Sequence, residues 1–136
     1  MEITGPWNMN EHRLVLTPTG DAVVKPVTDN FYQELDQAFG NFKGHNLVAV
    51  HEFEDSWPTW EMHPRGDEII CLISGDIEFA LRRGGEDTTV RLDQPGNMIV
   101  VPKAVWHTAR PKSRSRLIFM TPGEGTLNAE APPDIA

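Results

Sequence analysis

The sequence holds one cysteine, one tyrosine and only 12 basic residues against 20 acidic ones over 136 positions. Cys71 stands alone, so an intramolecular disulfide is impossible and a reducing cytosol is the natural setting. The formal net charge of −8 argues against nucleic acid and anionic membrane as partners, because phosphate-rich surfaces repel an acidic chain. It favours solubility and makes a cation an easier ligand than a polyanion. No run approaches the roughly 20 apolar residues that span a bilayer. The N-terminal stretch also lacks an apolar core flanked by basic residues, so no signal peptide is expected and the protein is read as cytoplasmic. A Walker-type phosphate loop, a GxSxG nucleophile elbow and a CxxC pair are missing as well.

What is plentiful is punctuation: 11 glycines and 11 prolines imply frequent turns between short strands. The length suits one domain with a single core. Two short strands are expected at Leu14–Leu16 and Ala22–Val24, with a turn at Thr19-Gly20-Asp21. One helix follows, with Asn30 and Gln33 as a capping box, Phe31, Leu35 and Phe39 at helical spacing, and Gly40 at the C-terminal cap. From Leu47 the pattern is β throughout. Strands are expected at Leu47–Phe53, Pro58–His63, Glu68–Ile73, Ile77–Leu81, Thr88–Leu92, Asn97–Val101, Trp106–Arg110 and Leu117–Met120. Hairpin turns fall at Ser74-Gly75-Asp76 and Arg83–Glu86. Such spacing argues for an all-β sandwich or barrel.

The chemistry concentrates in Trp60–Ile70. Residues two apart on a strand share a face, so Glu61 and His63 project together. Glu68 follows a four-residue connection and returns toward His63 on the next strand. His107 is the candidate fourth donor. Four oxygen and nitrogen donors without a thiolate suit Mn, Fe, Zn, Co or Ni, and two carboxylates lean toward Mn or Fe.

These residues resemble the two motifs of the cupin superfamily, a β-barrel of the jelly-roll kind. Glu61-Met62-His63, four residues, Glu68, six residues and Gly75 match the first motif. Gly96, five residues, Pro102, one residue, Ala104, two residues and His107 match the second, and 20 residues separate Gly75 from Gly96. The departures are Glu61 for the first motif histidine, Asp55 for an opening glycine, Ala104 for a glycine and Pro111 for a terminal asparagine. The resemblance implies an all-β, cupin-type jelly-roll barrel with one short N-terminal helix. Residues 1–46 would flank the barrel, 47–122 would form it and 123–136 would be a loose tail within the same domain.

The resemblance further implies one divalent transition-metal ion per chain (Mn, Fe, Zn, Ni or Co), held by His63, Glu68 and His107. Glu61 is a substituted fourth ligand or a general base, and is therefore the candidate catalytic residue. The leading expectation is a metal-dependent enzyme acting on a small polar metabolite by oxygenation, isomerisation or decarboxylation. A non-catalytic small-molecule or metal-sensing module is the alternative, and a metal-free polar plug of the barrel is a third. A homodimer is expected, with small-molecule ligands as the other partners and neither nucleic acid nor membrane.

Other residues receive plainer readings. Trp60, Met62 and Trp106 alternate with site residues and should face away from the metal. Trp57, Phe79 and Phe119 are candidates for the cavity wall, with core filling as the default for strand aromatics. His12 and His45 read as surface or hydrogen-bonded residues. His51 shares parity with Phe53 and either enters the barrel behind the ligands or lies on the surface. Cys71 has the opposite parity to Glu68 and reads as packing. Arg110, Lys112, Arg114 and Arg116 form an outward, solvated strand face. Arg65 is either a solvated turn residue or a cation at the barrel mouth that attracts anions.

Overall fold

Inward apolar side chains at every second position decide the architecture. In the computed structural model, which describes residues 2–132, Glu68, Ile70 and Leu72 of one strand are buried while Ile69 between them is exposed. A strand patterned in this way can bury only one face, and a second sheet must cover it. Among the described residues the strands are β1 (His12–Leu16), β2 (Ala22–Pro26), β3 (Asn46–Phe53), β4 (Trp60–Met62), β5 (Glu68–Ser74), β6 (Ile77–Arg83), β7 (Glu86–Leu92), β8 (Met98–Val101), β9 (Trp106–Pro111), β10 (Ser115–Thr121) and β11 (Leu127–Ala129); one helix, α1 (Phe31–Ala38), lies between β2 and β3.

Two antiparallel sheets result, ordered β2-β1-β3-β10-β5-β8 and β11-β4-β9-β6-β7. The fold is the expected all-β jelly roll, although its sheets pair only within themselves and do not close into one continuous barrel. The core lies between them. Ile70, Leu72, Ile99, Leu117 and Phe119 from the first sheet meet Ile77, Phe79, Leu92 and Ala109 from the second. Burial of each large side chain there contributes roughly 1.5–3 kcal/mol.

Where the second sheet ends, α1 takes over as cover. Phe31 and Leu35 of the helix pack with Phe42 on Val15, Leu47 and Ala49 of β1 and β3. β1 and β2 extend the first sheet through pairing of β1 with β3 in the same chain. The helix stops as expected, with Gly40 in the left-handed region at φ 57°. Its start differs. Asn30 makes no side-chain cap, because its backbone at φ −110°, ψ 32° is not the extended conformation that aims a cap at the first turn. Thr28 instead donates its hydroxyl proton to Glu34, 2.9 Å away.

The hairpin at Gly75 is obligatory. Its φ is 107°, and a Cβ there would sit 2.4 Å from the Arg114 carbonyl oxygen. The largest correction concerns the C-terminus. Residues 127–129 fell in the stretch expected to be a loose tail, yet they form β11 and pair with β4. The three-residue strand carries no alternation signal, and its order comes from the exposed edge of β4. Residues 133–136 of the expected tail lie outside the described residues. No helix of the described residues is long and apolar enough to cross a membrane.

Candidate metal centre

Strand geometry brings the four candidate residues together. Glu61 of β4 pairs directly with His107 of β9, so their side chains share the inward face. His63 is two residues beyond Glu61 on the same side, just past the end of β4. A four-residue turn then returns the chain to Glu68, the first residue of β5. His63, Glu68 and His107 are 4%, 2% and 0% exposed, whereas the Glu61 side chain is 34% exposed.

Glu68 lies between the two imidazoles. Its Oε2 is 3.3 Å from His63 Nε2, and its Oε1 is 3.0 Å from His107 Nε2. Glu61 Oε2 stands 3.8 Å from His63 Nε2. Ligand atoms of Glu61, His63 and His107 all lie within 4.8 Å of one another. Donors around one ion at about 2.0–2.2 Å are separated by roughly 3–4.2 Å, and the contacts of 3.0, 3.3 and 3.8 Å fall in this range.

The hydrogen bonds behind the two histidines set their tautomers. His107 Nδ1 faces the Val105 carbonyl at 3.3 Å and must donate to it, which leaves Nε2 with its lone pair. Thr126 donates its hydroxyl proton to the Gly123 carbonyl, so its oxygen is free to accept from His63 Nδ1, 2.9 Å away. His63 Nε2 is then also a lone-pair donor. With each Nδ1 already committed and Nε2 left as a lone pair, His63 Nε2, His107 Nε2 and Glu68 Oε1 are all buried without a hydrogen-bond partner. Buried polar atoms are rarely left in this state. Lone pairs converging from three sides need a proton or a cation among them.

In the metal-free chain a proton held between His107 and Glu68 fills that role. Burial opposes charge on Glu68, but the His107 and His63 imidazoles at its oxygens outweigh it and hold its carboxyl at about 2. Burial likewise works against charge on His107, yet Glu68 wins and raises it above its ordinary value. Glu61 is raised, first by burial and then by the Glu68 charge, with His107 and His63 pulling the other way. Thr121, at the end of β10, donates to Glu68 Oε2 at 2.5 Å and fixes that carboxylate from behind.

Above the floor made by Glu61, His63 and Glu68 opens a cavity of about 350 Å³. Its wall includes Phe53, Trp57 and Phe119, with Tyr32 of α1 contributing from the helix side. His51 also lines it, so of its two readings the inward one holds. Burial and nearby Arg13 push this imidazole below its ordinary value against the pull of Glu68, leaving it neutral. Phe79 does not reach the cavity. It is fully buried under Trp57, with ring centroids 6.0 Å apart.

The remaining expectations sort by strand parity. Trp60 faces outward, where the Arg82 guanidinium lies 4.9 Å from its ring centroid. Lys112 pairs with Glu78, Arg114 with Glu52 and Glu54, and Arg116 donates to Asn10, so these three side chains of the basic run are engaged with outer-face neighbours. Arg65 borders a separate hollow with His45 and Glu124 and is not a cation at the cavity. Cys71 is on the outer face, its cross-strand neighbours being Ile118 and Met98. Sequence reasoning missed Thr121 and Thr126 altogether. No local pattern marks a hydroxyl that reaches a site residue across 53 or 63 positions.

No protein-family model matches the chain, and no curated protein matches it. The fold is similar to that of solved cupin structures. A structure of oxalate oxidase aligns with a TM-score of 0.51 at 17% identity, covering 60% of this chain and 45% of that one. A cupin-2 domain protein from Shewanella frigidimarina aligns at 0.49 with 25% identity over 57% of this chain and 70% of that one. Hydroxypropylphosphonic acid epoxidase from S. wedmorenis gives 0.48 at 16% identity over 56% of this chain and 43% of that one. This chain thus spans less than half of the two enzymes. The protein has a cupin fold.

Proposed function

We propose that this cupin-fold protein is a metal-dependent enzyme. His63, Glu68 and His107 hold one divalent transition-metal ion per chain, Glu61 completes the shell, and a small molecule binds in the cavity above. The observation that carries this reading is the trio of buried, unpartnered ligand atoms on His63, Glu68 and His107. An imidazole whose Nδ1 is committed to Val105 or Thr126 offers Nε2 as a ligand, which is the arrangement that metal-binding histidines need. The donor set without a thiolate admits Mn, Fe, Co, Ni or Zn.

A bound ion supplies Lewis-acid polarisation of substrate oxygens. The chain supplies the rest. Glu61 is the most exposed of the four carboxylate and imidazole groups, and its raised pKa suits it to take and return a proton at the cavity floor. The aromatic wall presents carbon to a bound molecule, and Thr121 holds the Glu68 carboxylate in place. Oxygenation, isomerisation and decarboxylation are the reaction classes such a floor serves.

We further propose a homodimer through the outer face of the larger sheet. Two cross-strand rows of apolar side chains lie there, Ile118-Cys71-Met98 and Val48-Met120-Ile69-Val100. Met98 and Val100 are 66% and 51% exposed, and contiguous apolar surface of this kind is used for association.

Metal analysis of protein purified without an affinity tag tests the main reading. About one ion per chain is expected, with strong loss in His63→Ala and in His107→Ala. Glu61→Gln is expected to keep its metal and lose turnover. Full metal content in His107→Ala would overturn the assignment.

A further inference from the structure

We infer that the cavity above the metal floor takes a small, uncharged ring compound, with two neighbouring oxygens directed at the ion and the ring against Phe53, Trp57 and Phe119. This inference rests on the metal reading and adds the substrate class to it.

Charge is the first argument. No lysine or arginine lines the cavity, and its charged groups are the carboxylates of Glu61 and Glu68. The two positive charges of a divalent ion are matched by those two carboxylates, since both histidines ligate as neutral rings. The loaded floor therefore carries no net charge. Arg65 borders a different hollow, and Arg13 lies in a neighbouring one beyond Tyr32 and His51. A dianion entering this site would lose its hydration and meet no cation in excess. His51, neutral in its buried setting, offers a hydrogen bond but no charge.

The wall is the second argument. Phe53 meets Trp57 at 5.4 Å and Phe119 at 6.1 Å, the latter edge to face at 84°. His51 meets Phe119 at 5.5 Å and 70°. These contacts join the rings into one surface that is held in place by the core behind it, since Phe119 is only 5% exposed. A ligand ring extends such a surface by the same edge-to-face or offset contacts. A sugar or a short dicarboxylate laid against Phe53 and Phe119 would set its hydroxyls or charges on carbon along this wall.

Size is the third. A dry cavity of about 150 Å³ already accepts benzene. The volume here is about 350 Å³, which suits a substituted ring or a fused pair.

Two measurements separate this inference from the metal reading. Metal-free protein is titrated with phenol and with benzoate while the Trp57 indole resonance is followed. Phenol should shift it with at least about tenfold higher affinity than benzoate, which adds a charge to a similar ring. Zinc-loaded protein is titrated with benzohydroxamate and acetohydroxamate, which share one two-oxygen chelating head of the same charge and differ in the ring. Benzohydroxamate should bind about tenfold tighter, and Phe53→Ala should narrow that gap with zinc content unchanged. Equal affinity for the two hydroxamates, or benzoate binding as well as phenol, would overturn the ring class while zinc loading upheld the metal reading. Failure to load zinc with phenol still preferred would overturn the metal reading and leave the uncharged ring class standing.

Discussion

The hydroxyl oxygen of Thr126 lies 2.9 Å from Nδ1 of His63, and the same hydroxyl donates its proton to the Gly123 carbonyl. A C-terminal loop thereby determines which nitrogen of a site histidine carries a proton. The loop is held by β11, which pairs with the strand that carries Glu61.

Thr126→Val removes the acceptor while keeping the shape. Metal affinity measured by calorimetry should fall about 10- to 100-fold, the usual effect of losing a partner behind a ligating histidine. Thr126→Ser should restore most of it. Equal losses in the valine and serine variants would mean that Thr126 only packs.

The Glu68–His107 pair should give metal-free protein a stability maximum on the acid side of neutrality. Glu68 is depressed from 4.5 to about 2, so its contribution is complete above 4.5 and is lost as pH falls toward about 2. His107 is raised above 6.5, so its contribution is complete below 6.5 and is lost as pH rises through the raised value. Thermal melts should therefore peak between these limits, and Glu68→Gln should flatten both limbs. Metal affinity should show the opposite trend to His107 protonation and rise with pH, because the ion displaces that proton.

Ala104 adopts φ 63°, a region that favours glycine, and its amide donates to the His63 carbonyl at 2.9 Å. Ala104→Gly should relieve the strain and stabilise the protein by about 0.5–1 kcal/mol in urea titrations. Destabilisation would show that the methyl group packs in a way that outweighs the backbone cost.

Val100→Glu places a charge in the apolar rows on the outer sheet face. Sedimentation should show a dimer for the parent chain and a monomer for the variant, with metal content unchanged. A monomeric parent would remove the proposed interface.

The core strands and the shared face of Glu61 and His63 were legible from local rules, and the resemblance to the two motifs added His107 to Glu68 and His63. Alternation with a period of two assigns faces, the glycine at φ 107° fixes the hairpin after β5, and motif spacing brings the two halves of the site into register. The same parity placed Trp60 outward and opened the inward reading of His51. Local rules failed wherever a residue acts across the fold. Asn30 has the composition of a cap but not the backbone angles. Phe79 and Phe119 both face inward, and only the packing of the two sheets buries one fully and lets the other border the cavity. β11 exists because the edge of β4 offers unpaired backbone groups, and this places Thr126 behind His63. The sequence by itself thus determined which side chains face inward, since that depends on strand period alone. The tertiary structure decided the tautomers, the missing hydrogen bonds and the uncharged aromatic wall, because each depends on groups that the fold brings together from distant parts of the chain.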